Sequence, residues 1–212
     1  VPSWAEMRVE GLARLRTHPE LLSLKSASLV DELGLRGRTA FLAPGSVWKT
    51  KMWTSDGYTR VARELMTAGY RVVITGAPDE KSICDDIVFR APGSVSIAGR
   101  TSLFESAELF ALGELLVCND SGAMHLAAAA ALPTVSVFGP TILDFGYRPW
   151  QSSASVVQVP IKELKCRPCG SHGSQECPIG THDCMRRVGP DQVLAAAKSL
   201  SNANGISGSN NI

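Results

Sequence analysis

The sequence predicts an α/β fold, a Rossmann-like parallel sheet with helices on both faces. Three observations carry that expectation. Short apolar runs alternate with helix-patterned segments roughly five times between Arg38 and Leu200, with short connections, the pattern of repeated βαβ units. The runs are continuous instead of alternating with polar residues, as strands covered on both faces require. They close on small or rigid residues, as at Pro44-Gly45, Gly76-Ala77-Pro78 and Gly139-Pro140, which turn the chain at a sheet edge.

Taken in order, residues 1–37 read as a helical linker. Trp4, Met7, Leu12 and Leu15 recur at loosely helical spacing, and Pro19 is expected to open a second short helix through Leu21, Leu22 and Leu24. Leu33-Gly34-Leu35 stops it. With no sheet of their own to cover, these segments should dock on the α/β domain downstream. The domain proper spans 38–200. Thr39 to Ala43 reads as a buried strand, and Asp56 is expected to cap a helix running to Ala68. Tyr70 to Thr75 is strongly β-forming, and a helix follows over Asp79 to Phe89. Val95 to Ala98 is a short strand. Ser102 to Leu112 is a helix whose Ser102 and Glu105 make a capping box. Leu115 to Asn119, Thr134 to Phe138 and Val156 to Val159 complete the strands, and Ser121 to Ala131 and Asp191 to Leu200 the helices. Residues 201–212, rich in Asn, Ser and Gly, read as a flexible tail.

Composition narrows the function. With 21 Lys plus Arg against 20 Asp plus Glu, the net charge is +1, which excludes strong non-specific attraction to nucleic acid. No apolar run approaches the roughly 20 residues that span a bilayer. The start at Val1 has neither the basic nor the apolar stretch of a signal peptide, so a reducing compartment is expected. It also lacks an initiator Met, so the chain is expected to be trimmed or cut from something longer. Six cysteines are too few for a disulfide scaffold at this length. Cys84 and Cys118 sit in apolar contexts and should be buried.

In open parallel sheets, ligands bind beyond the carboxyl ends of the strands. Four segments there carry suitable residues: 44–51, 76–80, 119–125 and 139–144. In the third, a strand delivers Asp120 and a helix starts at Ser121. Its outward N–H groups suit a phosphate, Gly122 clears the approach, and His125 lies one turn in. Asp120 or Ser121 could equally be a plain helix cap. In the first segment, Ser46, Thr50 and Lys51 could serve a diphosphate, or the loop could be merely solvated with Trp53 packed inward. It is no Walker A loop, and no G-x-G-x-x-G occurs. Glu80 could hold ribose hydroxyls or serve only the helix dipole. The loop 165–186 holds Cys166, Cys169, Cys177 and Cys184. Only the first pair has zinc-knuckle spacing, so a structural zinc stands beside a thiol-rich packed loop or disulfides formed on handling.

Together these motifs resemble one family. Pro44-Gly45-Ser46, Lys51-x-Trp53, Gly76-Ala77-Pro78-x-Glu80, Ala98-Gly99-Arg100-Thr101-Ser102-Leu103, Asn119-Asp120-Ser121-Gly122-x-Met124-His125 and Phe138-Gly139-Pro140-Thr141 occur in that order. Over roughly residues 38–200 the chain resembles the C-terminal, donor-binding half of glycosyltransferase family 9, the ADP-heptose–lipopolysaccharide heptosyltransferases. The thiol stretch, with Cys177-Pro178 and Cys184-Met185, is most similar to the heptosyltransferase II type. The resemblance implies half of a GT-B fold and inverting, metal-independent transfer of heptose from ADP-L-glycero-D-manno-heptose to the lipopolysaccharide inner core. It implies catalytic or donor-stabilising roles for Lys51 and Asp120. Lys51, Ser46 and Thr50 would lie at the diphosphate, Glu80 at the ribose, Gly99 to Thr101 beside the adenine, and Asp120 at the sugar. Ser121, Gly122 and His125 would serve the phosphates. Thr54 departs from the proline usual there. The acceptor half and the general base would lie on a missing N-terminal domain, leaving this chain inactive alone. A cytoplasmic location is implied, with peripheral contact at the inner face of the cytoplasmic membrane. Lys162, Lys165, Arg167, Arg186 and Arg187 could favour anionic headgroups, although a solvated face explains them as well. Two other classes compete: a non-catalytic nucleotide-binding or zinc-stabilised interaction module, and a nucleotide-sugar epimerase of related architecture.

Overall fold

The computed structural model describes residues 17–35 and 37–203, together with Leu12, Arg14 and Leu15. Six strands form one parallel sheet, in the order β3-β2-β1-β4-β5-β6. They are β1 (Thr39–Ala43), β2 (Arg71–Ile74), β3 (Val95–Ser96), β4 (Leu115–Asn119), β5 (Thr134–Phe138) and β6 (Ala154–Gln158). The helices are α1 (Leu24–Leu33), α2 (Ser55–Thr67), α3 (Lys81–Arg90), α4 (Leu103–Leu112), α5 (Gly122–Ala129), α6 (Asp183–Arg186) and α7 (Pro190–Ala203). β3 is shorter than its apolar run suggested, and β6 begins two residues earlier because pairing with β5 starts at Thr134 opposite Ala154.

The continuous apolar strands divide their side chains between two cores, one on each face. Ala40, Leu42, Val72, Ile74, Leu115 and Val117 pack with Trp53, Tyr58, Ile87 and Val193 from α2, α3, α7 and their flanks. Phe41, Val73, Leu116 and Cys118 pack with Leu29, Leu109, Phe110 and Ala127 from α1, α4 and α5. Removing that much apolar surface from water is the main stabilising term.

Helix starts show where local pattern misled. α2 is capped by Thr54, whose side chain accepts from Gly57 N, and Asp56 instead lies in the first turn, paired with Arg90. Gly57 fixes that start: a Cβ there would lie 2.4 Å from the Trp53 indole. At α4 the expected box is present, with Ser102 and Glu105 each accepting from the other's backbone. Pro19 opens only a 3-10 turn (Pro19–Leu21), and Ser23 caps α1. α1 does dock on the sheet. Glu108 of α4 is 2% exposed and accepts from Ser23 N at 2.9 Å and from the Ser23 and Ser26 hydroxyls at 2.6 Å. The helical positions expected at Trp4 and Met7 lie outside the described residues. Of the expected tail, 201–203 continue α7, and 204–212 lie outside the described residues.

Candidate functional site

The strand order reverses between β1 and β4, which are hydrogen-bonded neighbours although about 75 residues apart in sequence. A crevice opens at such a point, beyond the carboxyl ends of the strands. Here the segments after β1 and β4 meet on Asn119. This fully buried amide donates to the Pro44 and Gly45 carbonyls at 2.8 and 3.1 Å and accepts from Trp53 N at 2.9 Å. The Tyr58 hydroxyl lies 3.1 Å from both Asn119 Oδ1 and Ala43 O. Trp53 is packed inward, its indole donating to Val188 O. The loop carrying Lys51 is thereby fixed to the strand carrying Asp120.

Those two side chains meet. Lys51 Nζ lies 2.7 Å from Asp120 Oδ2, and the same oxygen accepts from Thr141 Oγ1 at 2.7 Å. Lys51 and Asp120 are 9% and 4% exposed. Burying an ion pair is a poor route to stability, since lost hydration offsets much of the attraction. A buried pair at a sheet switch point is therefore a candidate working group.

The start of α5 lies beside it. Ser121 is the N-cap residue, yet its side chain makes no cap hydrogen bond, and its buried Oγ has no partner. Asp120 faces Lys51 and Thr141 instead of capping. A Cβ at Gly122 would meet nothing within 4 Å, so the fold itself does not demand glycine there, and the space in front stays open. His125 is exposed on α5.

The remaining expected residues are spread around this pair. Glu80 accepts from Ala77 N at 2.8 Å, and its carboxylate lies where a Cβ on Gly45 would sit, 1.9 Å from Cδ and 2.0 Å from Oε1. That brings the Glu80 carboxylate onto the turn after β1. Gly99 (φ +74°) lies in the left-handed region that favours glycine, a Cβ there would approach Pro78 Cα to 3.2 Å, and its N–H donates to Gly76 O. The Thr101 hydroxyl pairs with Ser106. Ser46 Oγ accepts from Trp48 N at 3.4 Å. The Thr50 hydroxyl is occupied: it donates to Ser174 O at 2.7 Å and accepts from Ser174 N at 2.8 Å. Thr50 thus fastens the thiol-rich loop to the segment carrying Lys51.

That loop has further fastenings. His182 Nε2 lies 2.8 Å from Thr50 O. Buried Arg167 donates to the Thr141 and Val159 carbonyls and to Gln158 Oε1. Among the described residues, no three His, Cys, Asp or Glu side chains are arranged to hold a metal ion, and hydrogen bonds to the sheet edge hold the loop. All six cysteines are unpaired. Burial pushes Cys84 and Cys118 up to about 12 and Cys184 up to about 11. At Cys177, burial is outweighed by the backbone N–H groups of His182, Ile179, Gly180 and Thr181, and the thiol falls below the ordinary value.

Asn119, Thr141 and Tyr147 are additions to the residues singled out from sequence; Tyr147 stands over Lys51. The first two lie inside the quoted motifs, but nothing local announces their partners. A separate concavity lined by Leu22, Val30, Leu35 and Gly113 opens at the opposite end of the sheet. Its rim carries Glu20, Asp31 and Glu114, the wrong sign of charge for a diphosphate. Among the described residues no helix is long and apolar enough to cross a membrane.

Comparison with known proteins gives the family and the fold. The family model described as glycosyltransferase family 9 (heptosyltransferase) matches residues 16–176. Lipooligosaccharide heptosyltransferase 2 of Campylobacter jejuni is 28% identical over 165 residues, which cover 75% of this chain and 50% of that protein. The structure of E. coli ADP-heptose lps heptosyltransferase II superposes with a TM-score of 0.70 at 24% identity, covering 87% of this chain and 53% of that one. The structure of E. coli heptosyltransferase WaaC with ADP superposes with a TM-score of 0.64 at 17% identity, covering 89% and 48%. At these identities the two structures establish the shared fold, half of a GT-B architecture. The chain spans about half the length of the curated relatives it matches.

Proposed function

Because the chain belongs to glycosyltransferase family 9, the heptosyltransferase family, we propose that it forms the donor-binding half of an enzyme transferring heptose from ADP-L-glycero-D-manno-heptose to the lipopolysaccharide inner core. The observation that carries this reading is the buried Lys51–Asp120 pair at the β1/β4 switch point, beside the open start of α5. Residues 38–200 form the donor domain.

In the proposed reaction the bond between the sugar anomeric carbon and the diphosphate oxygen breaks, and negative charge gathers on the departing ADP. Lys51 and the N–H groups at the start of α5 are preorganised to receive that charge, without a metal ion. Such fixed donors are worth most where water is excluded. Asp120 holds the sugar hydroxyls and aligns Lys51. Ser46, Ser121, Gly122 and His125 line the phosphate side. The Glu80 carboxylate takes the ribose, and the Gly99 to Thr101 backbone flanks the adenine. Thr50 acts by positioning, through Ser174. The acceptor hydroxyl attacks from the opposite face, inverting the anomeric centre. Its proton passes to a base supplied by an acceptor domain, so this chain alone binds donor without turnover. The acceptor is a membrane glycolipid, which places the reaction at the inner face of the cytoplasmic membrane.

Calorimetric titration with ADP tests the site. Lys51→Ala and Glu80→Ala should each weaken binding about tenfold or more, the scale of one charge-assisted contact. Unchanged affinity in both variants would remove the assignment.

A further inference from the structure

The donor-site roles leave the neighbouring side chain of Tyr147 without a part. It comes directly after Gly146 (φ +85°), which closes a 3-10 turn after β5. Its ring centroid lies 5.4 Å from Lys51 Nζ, within the roughly 6 Å over which a ring face attracts a cation. Its hydroxyl lies 3.4 Å from His172 Nδ1, and the two rings are 6.4 Å apart. Two stretches distant in sequence therefore meet the Lys51 side chain of the turn after β1: the segment after β5 brings Tyr147 to its ammonium, and the thiol-rich loop closes behind that ring and along the lysine stem. The neighbouring Gly173 (φ +94°) lets that loop close in, since a Cβ there would lie 3.3 Å from Lys51 Cγ.

We propose that Tyr147 is a positioning residue for the phosphate-binding Lys51, and that with His172 it walls the subsite for the terminal phosphate of a nucleoside diphosphate. The proposal rests on the donor-site reading of Lys51. A lysine side chain has four rotatable bonds; Asp120 holds its ammonium from one side at 2.7 Å, and the Tyr147 ring bounds it from another. A second carboxylate would hold the ammonium but repel the incoming phosphate. An aromatic face attracts the ammonium without adding charge and excludes water from one side of it. It leaves the ammonium's remaining donors to the ligand.

The test compares adenosine, AMP and ADP binding by calorimetry to the 212-residue chain and four variants. Lys51→Ala should collapse the preference for ADP over AMP. Tyr147→Leu should weaken ADP about fivefold while changing AMP and adenosine less than about twofold, in keeping with a partly desolvated cation–π contact. Tyr147→Phe keeps the ring and should restore most of the preference; His172→Ala should cost about twofold on ADP alone. If Lys51→Ala collapses the preference and Tyr147→Leu leaves it intact, the Tyr147 assignment is wrong and the donor site stands. Equal weakening of all three ligands by Tyr147→Leu would mark a merely structural residue and overturn the proposal too. If Lys51→Ala leaves the preference unchanged, both readings fall.

Discussion

Lys51 and Asp120 should each be costly to remove alone and cheap to remove together. At an effective dielectric of ~20, unit charges 2.7 Å apart attract by roughly 6 kcal/mol. Taking the two groups out of water offsets much of that, so the pair as a whole contributes little net stability. Breaking it is another matter. Lys51→Met leaves the Asp120 carboxylate buried with only the Thr141 hydroxyl, and Asp120→Leu leaves the ammonium with only the Tyr147 ring. Each should cost about 3 kcal/mol, the range for an orphaned buried charge, and lower Tm by roughly 6–12 °C at this chain length. The double variant fills the same space with apolar groups and should return to within about 1 kcal/mol of the parent. Urea unfolding of the four proteins measures the cycle. Costs that simply add in the double variant would refute the claim that the two charges compensate each other in the folded state.

Two further outcomes are expected from other parts of the molecule. Glu108→Ala removes three hydrogen bonds to Ser23 and Ser26 and should lose about 3 kcal/mol in urea unfolding, with ADP affinity unchanged. In chelator-treated protein, iodoacetamide should alkylate Cys177 before Cys169 and Cys184, as monitored by peptide mass mapping. The sign comes from the shifts: a lowered pKa leaves Cys177 as thiolate below the pH at which a free cysteine ionises, whereas Cys169 and Cys184 are raised and still protonated there. Equal labelling of the three at neutral pH would contradict it.

Much of the fold was legible because its signals are local. Continuous apolar runs and their Gly or Pro stops need only a few residues to be seen, and the capping box at Ser102 and Glu105 needs four. The cap of α2 was misread because Thr54 and Asp56 are both good cap residues. Thr54 takes the Gly57 N–H, while Asp56 turns to Arg90, 34 residues away, a partner that no local pattern announces. The candidate site divides in the same way. Small residues and a helix start marked the segment 119–125. The partner of Thr50 lies 124 residues away at Ser174, and Asn119 reaches back 75 residues to Pro44. Such pairings depend on β1 lying beside β4, and no sequence period encodes that adjacency. Tyr147 is the extreme case, since it gains meaning only from the two other segments that meet it.

The Glu108 contact with the start of α1 bears on the order in which the chain acquires its structure. During synthesis, α1 emerges before any of the six strands, while the carboxylate that fixes its first turn lies 85 residues downstream of Ser23. An isolated ten-residue helix is marginal in water, and closing so long a loop costs entropy before any contact offsets it. The three strands made in between, β1 to β3, and then α4 must assemble first to present Glu108. Helix α1 is thus made before every strand of this sheet but is secured only once α4 has been made, and until then its apolar face of Leu29, Val30 and Leu33 is left open to other partners.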